Sequence, residues 1–182
     1  MDWLKSFRRE CRWAVGVVIS PEADKSFAAT VDALLRAGWE NPYLFVDGTI
    51  SVPERFAHLP GVVREPPVGP WPHYYLALAE LTMRHPDADA YLLAQEDASF
   101  GEATGLRAIL EQQRWPSGAL TAVANSNGLA ALVYPRRLAQ DFLLDEVVCA
   151  QGWKGRQDPQ GMIQEWIQCR RIPICDATRR KR

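Results

Sequence analysis

Apolar and polar positions along this chain fall into blocks that switch between two periods. Residues 13–20 (WAVGVVIS) are a nearly unbroken, β-branched apolar run, the pattern of a strand covered on both faces. Ser20 is placed to cap a helix behind it, with Pro21 at the first helical position and Glu22 and Asp24 in the first turn. Phe27, Val31, Leu34 and Leu35 then recur at i, i+4, i+7 and i+8, one apolar helical face, and Gly38 stands just past the end, where a left-handed residue is wanted. Further strands are predicted over 43–46, closed by Asp47-Gly48, and over 61–64, 90–94, 130–134 and 172–174. Further helices are predicted over 72–85, 104–113, 135–144 and 159–169. The first of these presents Tyr74, Leu78 and Leu81 on one face and ends at Pro86; the last turns Met162, Ile163, Trp166 and Ile167 inward.

Strands and helices of crossover length alternate, which predicts a three-layer α/β/α sandwich around a mostly parallel sheet. Ligands of such sheets bind beyond the carboxyl ends of the strands, so the residues that follow each strand are the candidates for chemistry. The first strand is followed by Ser20-Pro21-Glu22, with no G-x-G-x-x-G, and the chain holds no G-x-x-x-x-G-K-[ST] or G-x-S-x-G. Asp47 reads either as a plain turn residue or as a carboxylate for a ribose or a base edge. Gln95-Glu96-Asp97 is the most informative spot. Two adjacent carboxylates at the end of a buried strand repel each other and cost desolvation, and a divalent cation such as Mg²⁺ or Mn²⁺ relieves both. The plain alternative is a solvated polar turn.

Composition narrows the class. The 182 residues fit one domain spanning 1–182, and 47% hydrophobic with 24% charged residues excludes a disordered chain or a coiled-coil rod. The net charge of -1, from 21 basic and 22 acidic side chains, gives no electrostatic case for nucleic acid. Arg179, Arg180, Lys181 and Arg182 make a basic tail, and 176–182 are expected to be a flexible end. Cys11, Cys149, Cys169 and Cys175 contain no C-x-x-C and have no histidine at zinc spacing. No apolar run is long enough to span a membrane, and the first residues lack an apolar signal core, so a cytoplasmic protein is expected.

Of the histidines, His58 and His85 are expected to be solvated; His73 opens a helix beside Trp71, as a helix-start residue or a ligand contact. Trp13, Trp39 and Trp166 read as core. Trp71, Trp115 and Trp153 read as loop residues, where an indole either packs under the loop or stacks on a sugar ring or base. Asn125, within Asn125-Ser126-Asn127-Gly128, reads as a turn or as an amide facing acceptor hydroxyls.

The order VGVVISPEADKSFAATVDALLRAG, YLFVDG, YLLAQEDASF resembles the GT-A fold glycosyltransferases, most closely small bacterial members related to family 2 and to the N-acetylglucosaminyltransferase IV type. The resemblance covers roughly residues 12–174, and its specificity lies in the order and spacing of its motifs. It implies that Gln95-Glu96-Asp97 is a DxD-type site at which Glu96 and Asp97 hold Mn²⁺ or Mg²⁺ against the diphosphate of a nucleotide sugar. It implies donor contacts from Ser20, Pro21, Glu22 and Asp47, and from Trp71 and His73 in Gly69-Pro70-Trp71-Pro72-His73. Ala131-Leu132-Val133-Tyr134-Pro135-Arg136 resembles the step after the acceptor loop, to which Asn125 belongs. Trp153-Lys154-Gly155 and Glu165-Trp166 resemble the segment that carries the general base, which makes Asp158 or Glu165 the candidate. The implied activity is transfer of a sugar from a nucleotide-diphosphate sugar to an acceptor hydroxyl. The sequence departs from the pattern at Gln95, at Gln160 and Gln164, where the family places an aspartate and a glycine, and in lacking a histidine after the last strand. Those departures support a different class, a non-catalytic GT-A-like binding module. A sugar-1-phosphate nucleotidyltransferase would need a Gly-rich, basic loop where Ser20-Pro21-Glu22 stands.

Overall fold

The structure is a computed structural model that describes residues 10–22, 26–100, 105–112, 119–123, 129–151 and 158–177. Among these residues seven strands form one sheet: β1 (Trp13–Ile19), β2 (Tyr43–Asp47), β3 (Gly61–Arg64), β4 (Ala90–Gln95), β5 (Leu120–Ala122), β6 (Ala131–Pro135) and β7 (Ile174–Asp176), in the order β3-β2-β1-β4-β6-β5-β7. The pairs β1–β2, β1–β4, β2–β3 and β5–β7 are parallel, and β6 runs antiparallel to both β4 and β5. Register sets the first four strands level at their carboxyl ends: Ile19 pairs with Val46, Val18 with Gln95, and Asp47 with Arg64. Because β6 is reversed, its first residues come to the same edge, where the Gln95 amide donates to the Ala130 carbonyl at 2.7 Å.

Among the described residues six α-helices cover the sheet: α1 (Ser26–Arg36), α2 (Pro70–Arg84), α3 (Leu106–Gln112), α4 (Arg136–Leu144), α5 (Glu146–Gln151) and α6 (Pro159–Arg170). Successive strand residues point to opposite faces, and each face has its own core. On one, Val15, Val17, Ile19, Leu44, Val46, Leu92, Ala94 and Val133 pack with Phe27, Val31 and Leu34 of α1, Leu110 of α3, and Trp39. On the other, Ala14, Val18, Phe45, Tyr91, Leu93, Leu132 and Tyr134 pack with α2, α4, α5 and α6 through Trp71, Leu78, Phe142, Val148, Ile163 and Trp166. This is the α/β/α arrangement that the alternation predicts, with both faces of the sheet buried. At the free end of α6 the layer is tied by Asp145, which accepts from the Trp166 indole at 3.2 Å and from Arg170 Nε at 2.7 Å. The Arg170 hydrogen bond holds the Asp145 carboxyl below its ordinary range.

Four differences from the sequence reading have physical reasons. The first helix is described from Ser26 rather than from Pro21, because Ser20 spends its side chain elsewhere. Pro70 and Pro72 fall in the first turn of α2, where a missing N–H costs nothing, so the helix takes in Trp71 that reads as a loop residue. Strand β5 and helix α5 are too short to produce a period of their own. The last strand comes two residues later than predicted, after Arg171 has closed α6 in the left-handed conformation. Leu35 is half-exposed, at the margin of the α1 face.

Gly16 sits mid-sheet on the second face, where an added Cβ would lie 2.8 Å from the Phe45 ring and 3.0 Å from Leu93 Cδ1. Phe45 is fully buried and stacked on Tyr43, so the ring has little freedom to move. Gly16→Ala is therefore expected to lower stability by roughly 1–3 kcal/mol, the cost of overpacking a filled core. A urea-unfolding midpoint equal to that of the parent chain would show that the sheet accepts the methyl group.

Candidate functional site

Each of β1 to β4 ends in a polar residue or is followed at once by one, and a polar group leaving the sheet needs partners. At the end of β1 the Ser20 hydroxyl donates to Glu96 Oε1 at 2.7 Å, and the Ser20 amide donates to Glu96 Oε2 at 3.1 Å. Both donors of Ser20 thus meet the carboxylate that follows β4. The main chain of the same turn is held from below. Thr30 of α1, itself buried, places its hydroxyl 2.7 Å from the Glu96 carbonyl and 3.0 Å from that of Ala98. The Ala98 amide closes the turn on the Gln95 carbonyl at 3.0 Å. Glu96 is half-buried, and Asp97 stands exposed at the tip.

At the end of β2, Asp47 is 1% exposed, and its two oxygens accept from the Val68 and Gly69 amides at 2.8 and 2.9 Å. The carboxylate fixes the loop into α2 and lies near that helix's positive end. Gly48, at φ 89°, is the only backbone type that turns the chain here at no steric cost, and a Cβ on it would lie 3.0 Å from Pro67 and 3.4 Å from Pro21. Pro21, Gly48 and Pro67 therefore adjoin at this edge. Beneath them lies His73, 1% exposed. Its Nε2 donates to the Phe45 carbonyl at 3.0 Å, which leaves Nδ1 to accept from Arg64 Nη1 at 3.1 Å and assigns a neutral ring. Arg64 also pairs with Glu80. Burial first, then the Arg64 charge, pushes the His73 pKa down to about 4.

The structure thus brings Ser20 and Glu96 into contact, sets Pro21 and exposed Glu22 beside them in the chain, and leaves Asp97 open. It turns three expected ligand residues inward. Asp47 is occupied by backbone amides, His73 by Phe45 and Arg64, and Trp71, at 0% exposure, is sandwiched among Tyr74, Tyr75 and Phe142. A nucleoside or sugar has no surface of theirs to touch. Asp158 caps α6, accepting from the Gln160 and Gly161 amides at 3.3 and 3.2 Å. Glu165 is exposed on α6 next to buried Trp166. Asn125, Trp115 and Trp153 lie outside the described residues. His58 and His85 are exposed, as expected, and all four cysteines are free thiols. Two residues with a part in this edge were not singled out from sequence. Thr30 falls at i+3 from Phe27, a hydroxyl on the apolar stripe of α1, which is a readable signal; Arg64 gives none.

Whether the acidic turn suits a divalent cation depends on which oxygens are open. The donor set is right for Mg²⁺ or Mn²⁺, and Asp97 is accessible, but each Glu96 oxygen already takes a hydrogen bond from Ser20. Among the described residues, no three His, Cys, Asp or Glu side chains converge to hold a metal. The residues fit a hard cation: Asp97 is exposed, and each Glu96 oxygen keeps a lone pair beside its bond from Ser20.

No protein-family model matches the chain, and no curated protein matches it by sequence. Solved structures do. The manganese complex of Rv0371C from Mycobacterium tuberculosis H37Rv is similar with a TM-score of 0.58 at 16% identity, over 92% of this chain and 88% of that one. The apo form of the glycosyltransferase GlyE from Streptococcus pneumoniae TIGR4 is similar with a TM-score of 0.56 at 11% identity, over 91% of this chain and 45% of that one. This chain thus spans less than half of GlyE. The CMP:2-keto-3-deoxy-manno-octonic acid synthetase complexed with CTP is similar with a TM-score of 0.50 at 13% identity, over 90% of this chain and 88% of that one. These likenesses show the fold: a GT-A and nucleotidyltransferase-like α/β sheet, as the resemblance in sequence implies. No helix among the described residues is long and apolar enough to cross a membrane.

The neutral His73 has a measurable consequence. Its folded pKa, about 4, lies below the ordinary value of 6.5, so between those pH values the unfolded chain binds more protons than the folded one. Stability from this residue is complete above pH 6.5 and is lost as the pH falls towards 4. The parent chain is expected to lose up to about 2 kcal/mol between pH 7 and pH 5 from this source, and His73→Gln to lose correspondingly less. Identical pH slopes in urea unfolding of the two proteins would contradict the assignment.

Proposed function

We propose that this chain binds a nucleotide-diphosphate sugar at the carboxyl edge of β1, β2 and β4 and transfers the sugar to an acceptor hydroxyl. The observation that supports this most directly is the fixed turn Glu96-Asp97. It follows the central strand, is pinned by Ser20 and Thr30, and presents an exposed carboxylate beside the accessible segment Pro21-Glu22. In a sheet of this kind that is where ligands sit. The fold is shared with a glycosyltransferase and with a synthetase solved with CTP, which makes a nucleotide the first ligand to try. The finer likeness to family 2 and the N-acetylglucosaminyltransferase IV type belongs to this proposal.

In this reading Pro21, Glu22 and Gly48 form the wall against which the nucleoside lies, and Asp47 acts indirectly by fixing the loop to Gly69. A divalent cation bound with the diphosphate supplies neutralisation of the leaving group. Asp97 is the open carboxylate towards it. Asp158 or Glu165 takes the proton of the acceptor hydroxyl as general base. Asn125 belongs to the acceptor side. A second reading, a GT-A-like module that binds without transfer, is favoured by one observation: both oxygens of Asp158 are used to cap α6.

A thermal-shift and calorimetric screen of nucleoside diphosphates and nucleotide sugars, each with Mn²⁺ and with chelator, tests the binding. Stabilisation that grows as RT ln(1 + [L]/Kd) is expected for the cognate nucleotide, and a flat response to every one removes the proposal. Asp158→Ser then separates the two readings. Serine also caps a helix, so the variant should retain stability to within about 1 kcal/mol. As general base, Asp158 replaced by serine should slow transfer by roughly 10²–10⁴-fold. Full turnover in this variant shifts the role to Glu165, and absence of transfer in the parent chain leaves the binding module.

A further inference from the structure

We infer that a second binding site lies at the opposite, amino edge of the sheet, where a cavity lined by Trp13 and Trp39 takes an uncharged planar ring that carries a hydrogen-bond acceptor, as a nucleobase does. This goes beyond the reading of the carboxyl edge and does not depend on it.

The cavity has a volume of about 440 Å³, within the roughly 300–1,000 Å³ of small-molecule pockets. It lies where the chain enters β1. Its walls come from that entry, from the link between α1 and β2, from the end of α2 and from the start of α3. The seven residues of β1, roughly 20 Å of extended chain, separate it from Ser20 and the carboxyl edge.

Two indoles give it a shape and an unmet bond. Trp13 and Trp39 meet edge to face, with ring centroids 5.4 Å apart and planes at 68°. Trp13 is only half-buried, which leaves ring surface for a flat ligand to cover. Trp39 is 1% exposed, and its indole N–H is a buried donor with no acceptor. A buried donor left unmatched is costly, so a ligand that brings an acceptor to it is held more tightly than one that brings only apolar surface.

The charges around the cavity select against an anion. Arg107 Nε donates to Glu111 at 2.9 Å, and the same carboxylate oxygen takes the Trp13 N–H at 2.9 Å. Arg12 donates to Asp89 through its amide at 3.0 Å and through Nε at 3.5 Å. Each guanidinium charge of the wall is thus offset by a carboxylate, and exposed Glu10 and Glu40 add two more negative charges at the rim. A cation brings donors and no acceptor for the Trp39 N–H, so an uncharged ring with an acceptor is the better match. The remaining titratable groups of the wall are exposed His85 and half-buried Cys11. Burial first, then Asp89 and Glu111, pushes the Cys11 thiol up to about 11. It therefore stays protonated at neutral pH, and the site binds without a covalent step.

Proton–nitrogen correlation spectra of the full chain, read at the indole N–H signals, test this with adenosine and uridine as purine and pyrimidine probes. The Trp39 signal is expected to move downfield and saturate as its N–H gains an acceptor, with the Trp13 signal shifting beside it. The indole signals of Trp71, packed in the second core, and of Trp166, bonded to Asp145, are expected to stay in place. So are the Ser20 and Gly48 amides, which separates this site from the carboxyl edge. Trp39→Phe keeps a ring in the core and removes the N–H, so it should weaken nucleoside binding roughly fivefold or more, the value of one hydrogen bond. Should that variant fail to fold, AMP in place of adenosine tests the same site in the parent chain and should bind no tighter than adenosine. Trp13 and Trp39 signals that neither nucleoside moves at about 10 mM, beyond which no specific affinity is left, overturn the proposal. Parental affinity in Trp39→Phe overturns the hydrogen bond, and tighter binding of AMP overturns the choice of an uncharged ligand.

Discussion

A carboxylate that ends a buried strand needs hydrogen-bond donors at the point where the chain leaves the sheet. Water is held off by the layers on both faces, and an unpaired charge there would cost more than one lost contact. In this protein the donors are backbone amides and a hydroxyl of neighbouring loops. Asp47 takes the Val68 and Gly69 amides, and Glu96 takes the Ser20 amide and hydroxyl. Each carboxylate therefore satisfies itself by fixing a loop. Ser20 after β1, Val68 and Gly69 before α2, and the turn after β4 are fixed by these two acids. The preorganised edge of the sheet is a by-product of burying the ends of its strands.

That requirement acts on a sheet whose two faces leave little slack. Gly16 is the place where the fit is closest, since the Phe45 ring and Leu93 occupy the volume a side chain would need. Phe45 connects the core to the edge: its ring fills the space over Gly16, and its carbonyl takes the His73 N–H. His73 then meets Arg64, which pairs with Glu80 of the same helix. The polar network below Pro21 and Gly48 is thus continuous with the second core, and a shift in the packing of α2 would be felt at the edge.

Much of this was legible in the sequence, and the reasons for the rest are specific. The long periodic segments, β1, the apolar face of α1, α2 and β4, stand where their patterns place them, because a face of three or more turns or a strand of six residues outweighs local noise. The short β5 and α5 carry no such pattern, and the reversal of β6 is a property of the sheet that no local stretch encodes. The edge itself was legible as a set of residues, because alternation of strands and helices says which positions follow strands. The direction of each side chain was not. Asp47 has the same local sequence whether it faces a ribose or two amides, and the choice is made by residues 21 and 22 positions away. Ser20 has the composition of a helix cap, yet its partner is 76 residues distant. Trp71 lies between two prolines that read as a loop and are in fact the tolerated start of a helix. Asp158, by contrast, was readable as a cap because its partners are its own next residues.

The balance of charge at the edge gives a last constraint on what can bind there. Among the described residues, the exposed acids at this edge include Glu22, Glu65 and Asp97, with Glu96 half-buried behind them. Arg64, which ends the adjacent strand, has its guanidinium committed to His73 and Glu80 below the surface. A diphosphate approaching this face meets like charge, and that repulsion grows as water is displaced from between the charges. On the proposed nucleotide reading, a positive charge that comes with the ligand offsets this repulsion, and the exposed carboxylates of this edge are the groups it would meet. On that reading cation and ligand are expected to bind as a unit, each weak without the other.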